Sequence, residues 1–137
     1  MFKKYYCLTF LIFGLSLLVA QSGLAQSAML SKGNAAPVFT AKASLAGSEF
    51  DFSLKKALAK GPVVVYFYPS AYTGGCDAEA HAFAEVKDKF TAAGATIIGV
   101  SADDINRLNA FSSDPSYCAG KFPVASDPDG KIAATYG

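Results

Sequence analysis

Apolar and polar positions divide the chain into one long apolar block and a series of short alternating elements. Residues 7–20 are almost purely apolar. From residue 39 to residue 52, two short extended pieces flank Gly47. Ser53 then stands where a helix N-cap belongs, and residues 54–59 predict a short helix stopped by Gly61-Pro62. Val63-Val64-Val65-Tyr66-Phe67-Tyr68 is an unbroken β-branched and aromatic run. Such a run predicts a central strand covered on both faces, as in a parallel sheet. Pro69 ends it and a loop containing Gly74-Gly75 follows.

Residues 76–93 are helical in composition and stop at Gly94. Residues 96–101 predict a second buried strand, and Asp103 or Asp104 caps a helix that runs through Phe111. A brief strand over 123–126, a turn at Asp127-Pro128-Asp129-Gly130 and a new element from Lys131 complete the pattern. Strand–helix–strand–helix–strand is the order of an α/β domain with a parallel sheet at its centre. Sites in such sheets form beyond the carboxyl ends of the strands, which singles out the loop after Tyr68.

The apolar block changes the picture at the N-terminus. Lys3 and Lys4 precede it, and Gly23-Leu24-Ala25 places small residues before a cleavage point after Ala25. As a helix, its 14 residues rise about 21 Å, short of the roughly 30 Å hydrocarbon core. We therefore expect a secretory signal at 1–25, taking Cys7 with it, a small-residue linker at 26–36 and one domain over 37–137. The alternative is an uncleaved membrane anchor. Cleavage removes two lysines and no acid, so 12 basic and 11 acidic residues become 10 and 11, a net charge of −1. That balance argues against nucleic acid or an anionic membrane surface as the main partner, and no stable membrane insertion is expected after cleavage. Cys76 and Cys118 remain, in the oxidising, periplasmic setting that export implies. A single pair makes no disulfide scaffold, so a chemical role is expected of them.

Cys76 opens a helix, where unpaired N–H groups and the macrodipole favour a thiolate. Gly74 and Gly75 let the backbone approach a ligand closely. Thr73 offers a hydroxyl, and Pro69 can wall one side of a pocket. Asp77 and Glu79 oppose the thiolate as like charges. At 100° per residue, Phe83, Val86 and Phe90 share a face, with Cys76 and Ala80 at its margin and Glu79 inside it. Glu79 is thus either part of the site or a capping group at its rim. His81 points away, among Glu85 and Asp88, and reads as a surface residue. One histidine and two distant cysteines make no metal-ligand cluster, and no phosphate-binding loop or cofactor motif is present.

The run Pro69-x-x-x-Thr73-x-x-Cys76, after a strand ending Phe67-Tyr68 and before a helix containing Glu79, resembles the peroxiredoxin active-site motif, closest to the bacterioferritin comigratory protein (Q-type) branch. Ile98-Gly99-Val100-Ser101-Ala102-Asp103 and Phe122-Pro123-Val124-Ala125-Ser126-Asp127-Pro128-Asp129-Gly130-Lys131 resemble later segments of that branch. The resemblance covers about residues 35–137. It implies a thioredoxin-like fold with a central parallel or mixed sheet flanked by helices. It implies thiol-dependent reduction of hydrogen peroxide or organic hydroperoxides, with no cofactor. Cys76 matches the peroxidatic cysteine, Thr73 the hydroxyl that hydrogen-bonds it, Pro69 the shielding proline and Glu79 an acid often found one turn into the helix. A thioredoxin-like protein or a small thiol is the implied reductant, and a monomer is the expected state.

The chain departs from that pattern twice. The resolving cysteine often found five residues on is His81 here, which leaves Cys118 as resolving residue or as a packing thiol. Tyr117 and Gly120 beside Cys118 suggest a surface loop able to move. The family's catalytic arginine normally lies on a later strand. Arg107 is the only arginine and is expected to be a surface charge, and the expected C-terminal hairpin and helix are missing, so we expect a truncated sequence. Two other functions stay in view: an exported thioredoxin-like thiol–disulfide oxidoreductase, weakened because Cys76-Asp77-Ala78-Glu79 lacks the second cysteine of its usual site, and a degenerate, non-catalytic domain of the same fold.

Overall fold

A computed structural model describes residues 29–137. The signal expected at 1–25, the start of the linker and Cys7 lie outside the described residues. Residues 29–36 are exposed and carry no strand or helix, and the first strand starts at Thr40.

The chain order is β1 (Thr40–Leu45), β2 (Ser48–Ser53), α1 (Leu54–Leu58), β3 (Val63–Tyr68), α2 (Gly74–Ala92), β4 (Thr96–Ser101), α3 (Ile105–Ser113), β5 (Val124–Ser126) and α4 (Lys131–Tyr136). The sheet runs β2-β1-β5-β4-β3. β3, β4 and β5 are parallel, joined by α2 and α3, and β1 is antiparallel to both β2 and β5. The sheet is therefore mixed, and the N-terminal hairpin extends it rather than standing apart.

Ser53 caps α1, its hydroxyl accepting from Lys56 N–H, and Asp104 caps α3 in the same way through Arg107 N–H. Gly130 leads into α4 in the left-handed region with no side-chain cap. Asp127, buried, replaces that cap by accepting from the N–H groups of Ile132 and Ala133 at 3.0 and 2.9 Å.

Strand alternation divides the core into two layers. Tyr66 and Tyr68 of β3 face α2 and α3, with Ile97, Leu108, Phe111, Phe122 and Val124 around them. Val63, Val65 and Phe67 face the other way, with Phe52, Leu54, Ile98, Val100 and Ile132. β3 has apolar cover on both faces, as its sequence predicts, yet it is not central. Among the described residues it is an edge strand, as β2 is at the other side, and β4 lies between β3 and β5. A continuous apolar run reports cover above and below a strand, not its place in the hydrogen-bonding order.

Candidate active site

The β3–α2 loop lies beyond the carboxyl end of β3, where the parallel topology places a site. Cys76 is the third residue of α2, half-buried, with Thr73 as N-cap. Ala80 and Ala84 are the buried residues of the helix, and Cys76, Phe83 and Phe90 pack on the same core. The inner face is thus centred on Cys76, Ala80 and Ala84 rather than on the line from Phe83 through Val86. Alanines let the helix lie close to the sheet, so the small side chains, not the large ones, mark the contact. Glu79 consequently falls outside the buried stripe and is exposed. His81 is also exposed, and pairs with Glu85 at 3.6 Å.

Thr73 is held from several directions. Its hydroxyl donates to Ser70 C=O at 2.7 Å, its N–H donates to the Asp77 carboxylate at 3.1 Å, and its carbonyl accepts from Asp77 N–H at 3.0 Å. Asp77 thus serves the first turn of α2 as a cap. Pro69 is exposed and lines a mostly apolar cleft of about 260 Å3 together with Phe67, Val100 and Ala133. Cys76 does not line that cleft.

Behind the loop stands a polar cluster around Asp103, which the sequence suggests only as a cap of α3. Asp103, at the carboxyl end of β4, has a side chain only 8% exposed. It accepts from Ala71 N–H at 2.6 Å, from Ser70 Oγ at 3.0 Å and from Ser101 Oγ. Arg107 pairs with it through Nε at 3.1 Å and donates from Nη2 to Ala71 C=O at 2.9 Å. Its guanidinium also lies over the Tyr72 ring, 5.1 Å from the centroid. Arg107 is exposed, as expected of a surface charge, but these contacts tie it to the loop before Cys76. The signal was an Asp–Arg pair at i,i+4, but Ala71 lies 36 residues away, beyond any local pattern.

Tyr72 has a φ of 60°, a left-handed conformation that costs a tyrosine about 1–2 kcal/mol. Its ring meets Phe111 and Tyr117 edge-on at 5.3 and 5.4 Å. Phe111 and Tyr117 stack at 5.0 Å.

Cys118 follows Tyr117 and is not on a surface loop, contrary to expectation. It is fully buried against the core that also holds Cys76, and both thiols are free. Burial, with the Asp114 charge second, pushes its thiol up to about 12. The tight turn over 114–120 explains the inward path: the Asp114 carbonyl accepts from Tyr117 and Ala119 N–H, and Ser112 C=O accepts from Gly120 N–H. Nearby, the Tyr66 and Tyr68 hydroxyls are buried with no hydrogen-bond partner among the described residues. Burial raises both phenols well above their ordinary range.

A half-buried thiol at a helix start, a held loop and a second, neutral thiol in the core are the parts of a site for redox chemistry at sulfur. Comparison with known proteins points the same way. A family model described as AhpC/TSA family matches residues 32–137. A chloroplastic peroxiredoxin Q of Populus jackii is 39% identical over 110 residues, covering 80% of this chain and 48% of the relative. That of Sedum lineare is 36% identical over 110 residues, covering 80% and 55%. Among solved structures, peroxidoxin BcpB from Mycobacterium tuberculosis matches with a TM-score of 0.67 at 30% identity, over 77% of this chain and 64% of that one. A reduced 2-Cys peroxiredoxin of Plasmodium vivax matches with a TM-score of 0.69 at 28% identity, over 76% and 56%. The chain spans about half the length of the curated relatives it matches.

Proposed function

The chain belongs to the AhpC/TSA family, and on that premise we propose that it is a thiol-dependent peroxidase of the peroxiredoxin Q type with Cys76 as its nucleophile. The observation that carries this reading is the position of Cys76: first turn of α2, half-buried, just beyond the carboxyl end of β3. The first amides of a helix have no intrahelical acceptor, and together with the macrodipole they suit an oxyanion there.

The Cys76 thiolate attacks the terminal oxygen of hydrogen peroxide or an organic hydroperoxide. The S–O bond forms as the O–O bond breaks. The leaving oxygen takes a proton, giving water or an alcohol and a sulfenic acid on Cys76. Thr73 is the side-chain hydroxyl assigned to the peroxide. Its proton is engaged on Ser70 C=O, so donating to substrate requires that this hydrogen bond break and the hydroxyl turn about its Cβ–Oγ1 bond. Pro69 is assigned to shielding by the resemblance alone, since the cleft it lines is not lined by Cys76. Glu79, exposed in the first turn, is assigned to the rim of the site.

Return to the thiol proceeds through an external reductant, a small thiol or a thioredoxin-like protein. Cys118 as resolving residue is the second reading, favoured by its packing on the same core as Cys76. A buried neutral thiol is a poor nucleophile, so that route requires the 114–120 turn to open first. Replacement Cys76→Ser abolishes thiol-dependent peroxide consumption, and retained turnover would end this reading. Replacement Cys118→Ser preserves turnover with an external thiol. Its loss there, together with a Cys76–Cys118 disulfide in the oxidised wild type, selects the second route.

Export through a signal at residues 1–25 and periplasmic action as a monomer complete the reading. N-terminal sequencing of the secreted protein tests it, with Gln26 as the expected first residue.

A further inference from the structure

The loop that leads to Cys76 does not hold its own shape. Tyr72 sits in the left-handed region, where a tyrosine is not stable by itself. The residue before it, Ala71, is fully buried, and both of its backbone groups are taken by one ion pair. Asp103 accepts its N–H at 2.6 Å, and Arg107 donates to its C=O at 2.9 Å. The same pair holds Ser70 Oγ and covers the Tyr72 ring. The Ser70 carbonyl in turn accepts from the Thr73 hydroxyl, and Thr73 stands at the N-cap position of α2, whose third residue is Cys76. A continuous chain of contacts therefore runs from the end of β4 and the first turn of α3 to Thr73, at the N-terminus of the helix that carries Cys76.

We propose that Asp103 and Arg107 are positioning residues for the reaction at Cys76, a forked brace that fixes the 70–73 loop against the N-terminus of α2. The inference rests on the assignment of Cys76 as peroxidatic. Neither residue touches the thiol in the described contacts, so the brace acts through the loop. The fork is the essential feature. The Arg107 Nε and Nη2 address two different acceptors at once, a carboxylate and a carbonyl, which a single ammonium cannot reproduce.

The test uses the full chain and two probes of Cys76. Hydrogen peroxide requires an aimed loop, whereas iodoacetamide requires only an accessible thiolate. Replacement of Arg107 by Ala or by Lys slows the peroxide reaction about 10- to 100-fold, as misaligned reacting groups do. Iodoacetamide alkylation stays within about twofold of wild type, since thiolate access is retained. An unchanged peroxide rate in Arg107→Ala overturns the proposal. So does a parallel fall of both rates, which marks general loosening. Full recovery in Arg107→Lys also overturns it, because charge without the fork would then suffice. Hydrogen exchange at the Ala71, Tyr72 and Thr73 amides gives a readout independent of peroxide. These amides exchange faster in Arg107→Ala if the brace is real, and at the wild-type rate if it is not. A wild type that leaves peroxide untouched defeats the assignment of Cys76 instead, and the exchange data alone then decide on the brace.

Discussion

Raising the pH from 8 to 10 will destabilise the folded domain through Cys118, and replacing that residue by alanine will remove its share of the loss. Cys118 is fully buried, and its thiol is pushed from the ordinary value of 9.0 up to about 12. The folded state keeps its proton where the unfolded chain gives it up. The stabilisation is therefore whole below pH 9 and is lost as pH rises toward about 12. Between pH 8 and 10 the loss from this one group is about 1 kcal/mol, and over the full window about 4 kcal/mol. For a domain of this size, 1 kcal/mol is a shift of about 4–8 °C in melting temperature. Tyr66 and Tyr68 are also raised by burial and add to the alkaline loss, so the comparison must be between proteins. Urea unfolding of wild type and Cys118→Ala at pH 8, 9 and 10, under reductant, isolates the cysteine. Wild type should lose about 1 kcal/mol more than the variant between pH 8 and 10. Equal losses would refute the claim that a neutral thiol sits in the core. The same displacement leaves about 1000-fold less thiolate at neutral pH than an ordinary cysteine has. Native alkylation should therefore label Cys76 and spare Cys118.

Other consequences follow from contacts in the core. In Gly99→Ala the new methyl would meet the Tyr66 Cζ and Oη atoms at 2.7 Å. That ring is held between Tyr68 at 5.5 Å and Phe83 at 4.6 Å, so it has little room to yield. A loss of about 1–3 kcal/mol is expected in chemical denaturation, and an unshifted midpoint contradicts the packing described. Ser112 Oγ lies 2.9 Å from Ser44 Oγ, accepts from Gly47 N–H at 2.9 Å and donates to Asn109 C=O at 3.1 Å. Ser112→Ala should cost about 1–3 kcal/mol and more than Ser44→Ala, which leaves the other two partners satisfied. The reverse order in equilibrium unfolding would sink that assignment.

The sequence made the elements legible wherever a regular period or a terminating residue marks them. The Ser53 and Asp104 caps, the Val63–Tyr68 and Thr96–Ser101 strands and the turn before Lys131 all announce themselves locally. What stayed hidden depends on distance or on size. The contact face of α2 was displaced because periodicity weights Phe83 and Val86, whereas the helix approaches the sheet over Ala80 and Ala84. Strand order is carried by pairing, so β3 read as central although it lies at an edge and β5 takes the middle place. Cys118 lies in a compact turn, where no periodic pattern reports burial and where neighbours such as Gly120 look like surface. For the candidate site, the motif around Cys76 marked the β3–α2 loop, where Thr73 holds the N-cap position and Cys76 the first turn of α2. The Asp103–Arg107 pair escaped because its role is defined by a backbone carbonyl and amide on a distant loop. Backbone groups are the same in every sequence.

The central claim is that Cys76 is oxidised by peroxide, and it can be read on the protein directly. The reduced chain is exposed to a stoichiometric amount of hydrogen peroxide in the presence of dimedone, and the adduct is located by peptide mass spectrometry. The account predicts one sulfenic acid adduct, on Cys76, with Cys118 recovered as a free thiol. An unmodified Cys76, or an adduct on Cys118 in its place, would contradict it.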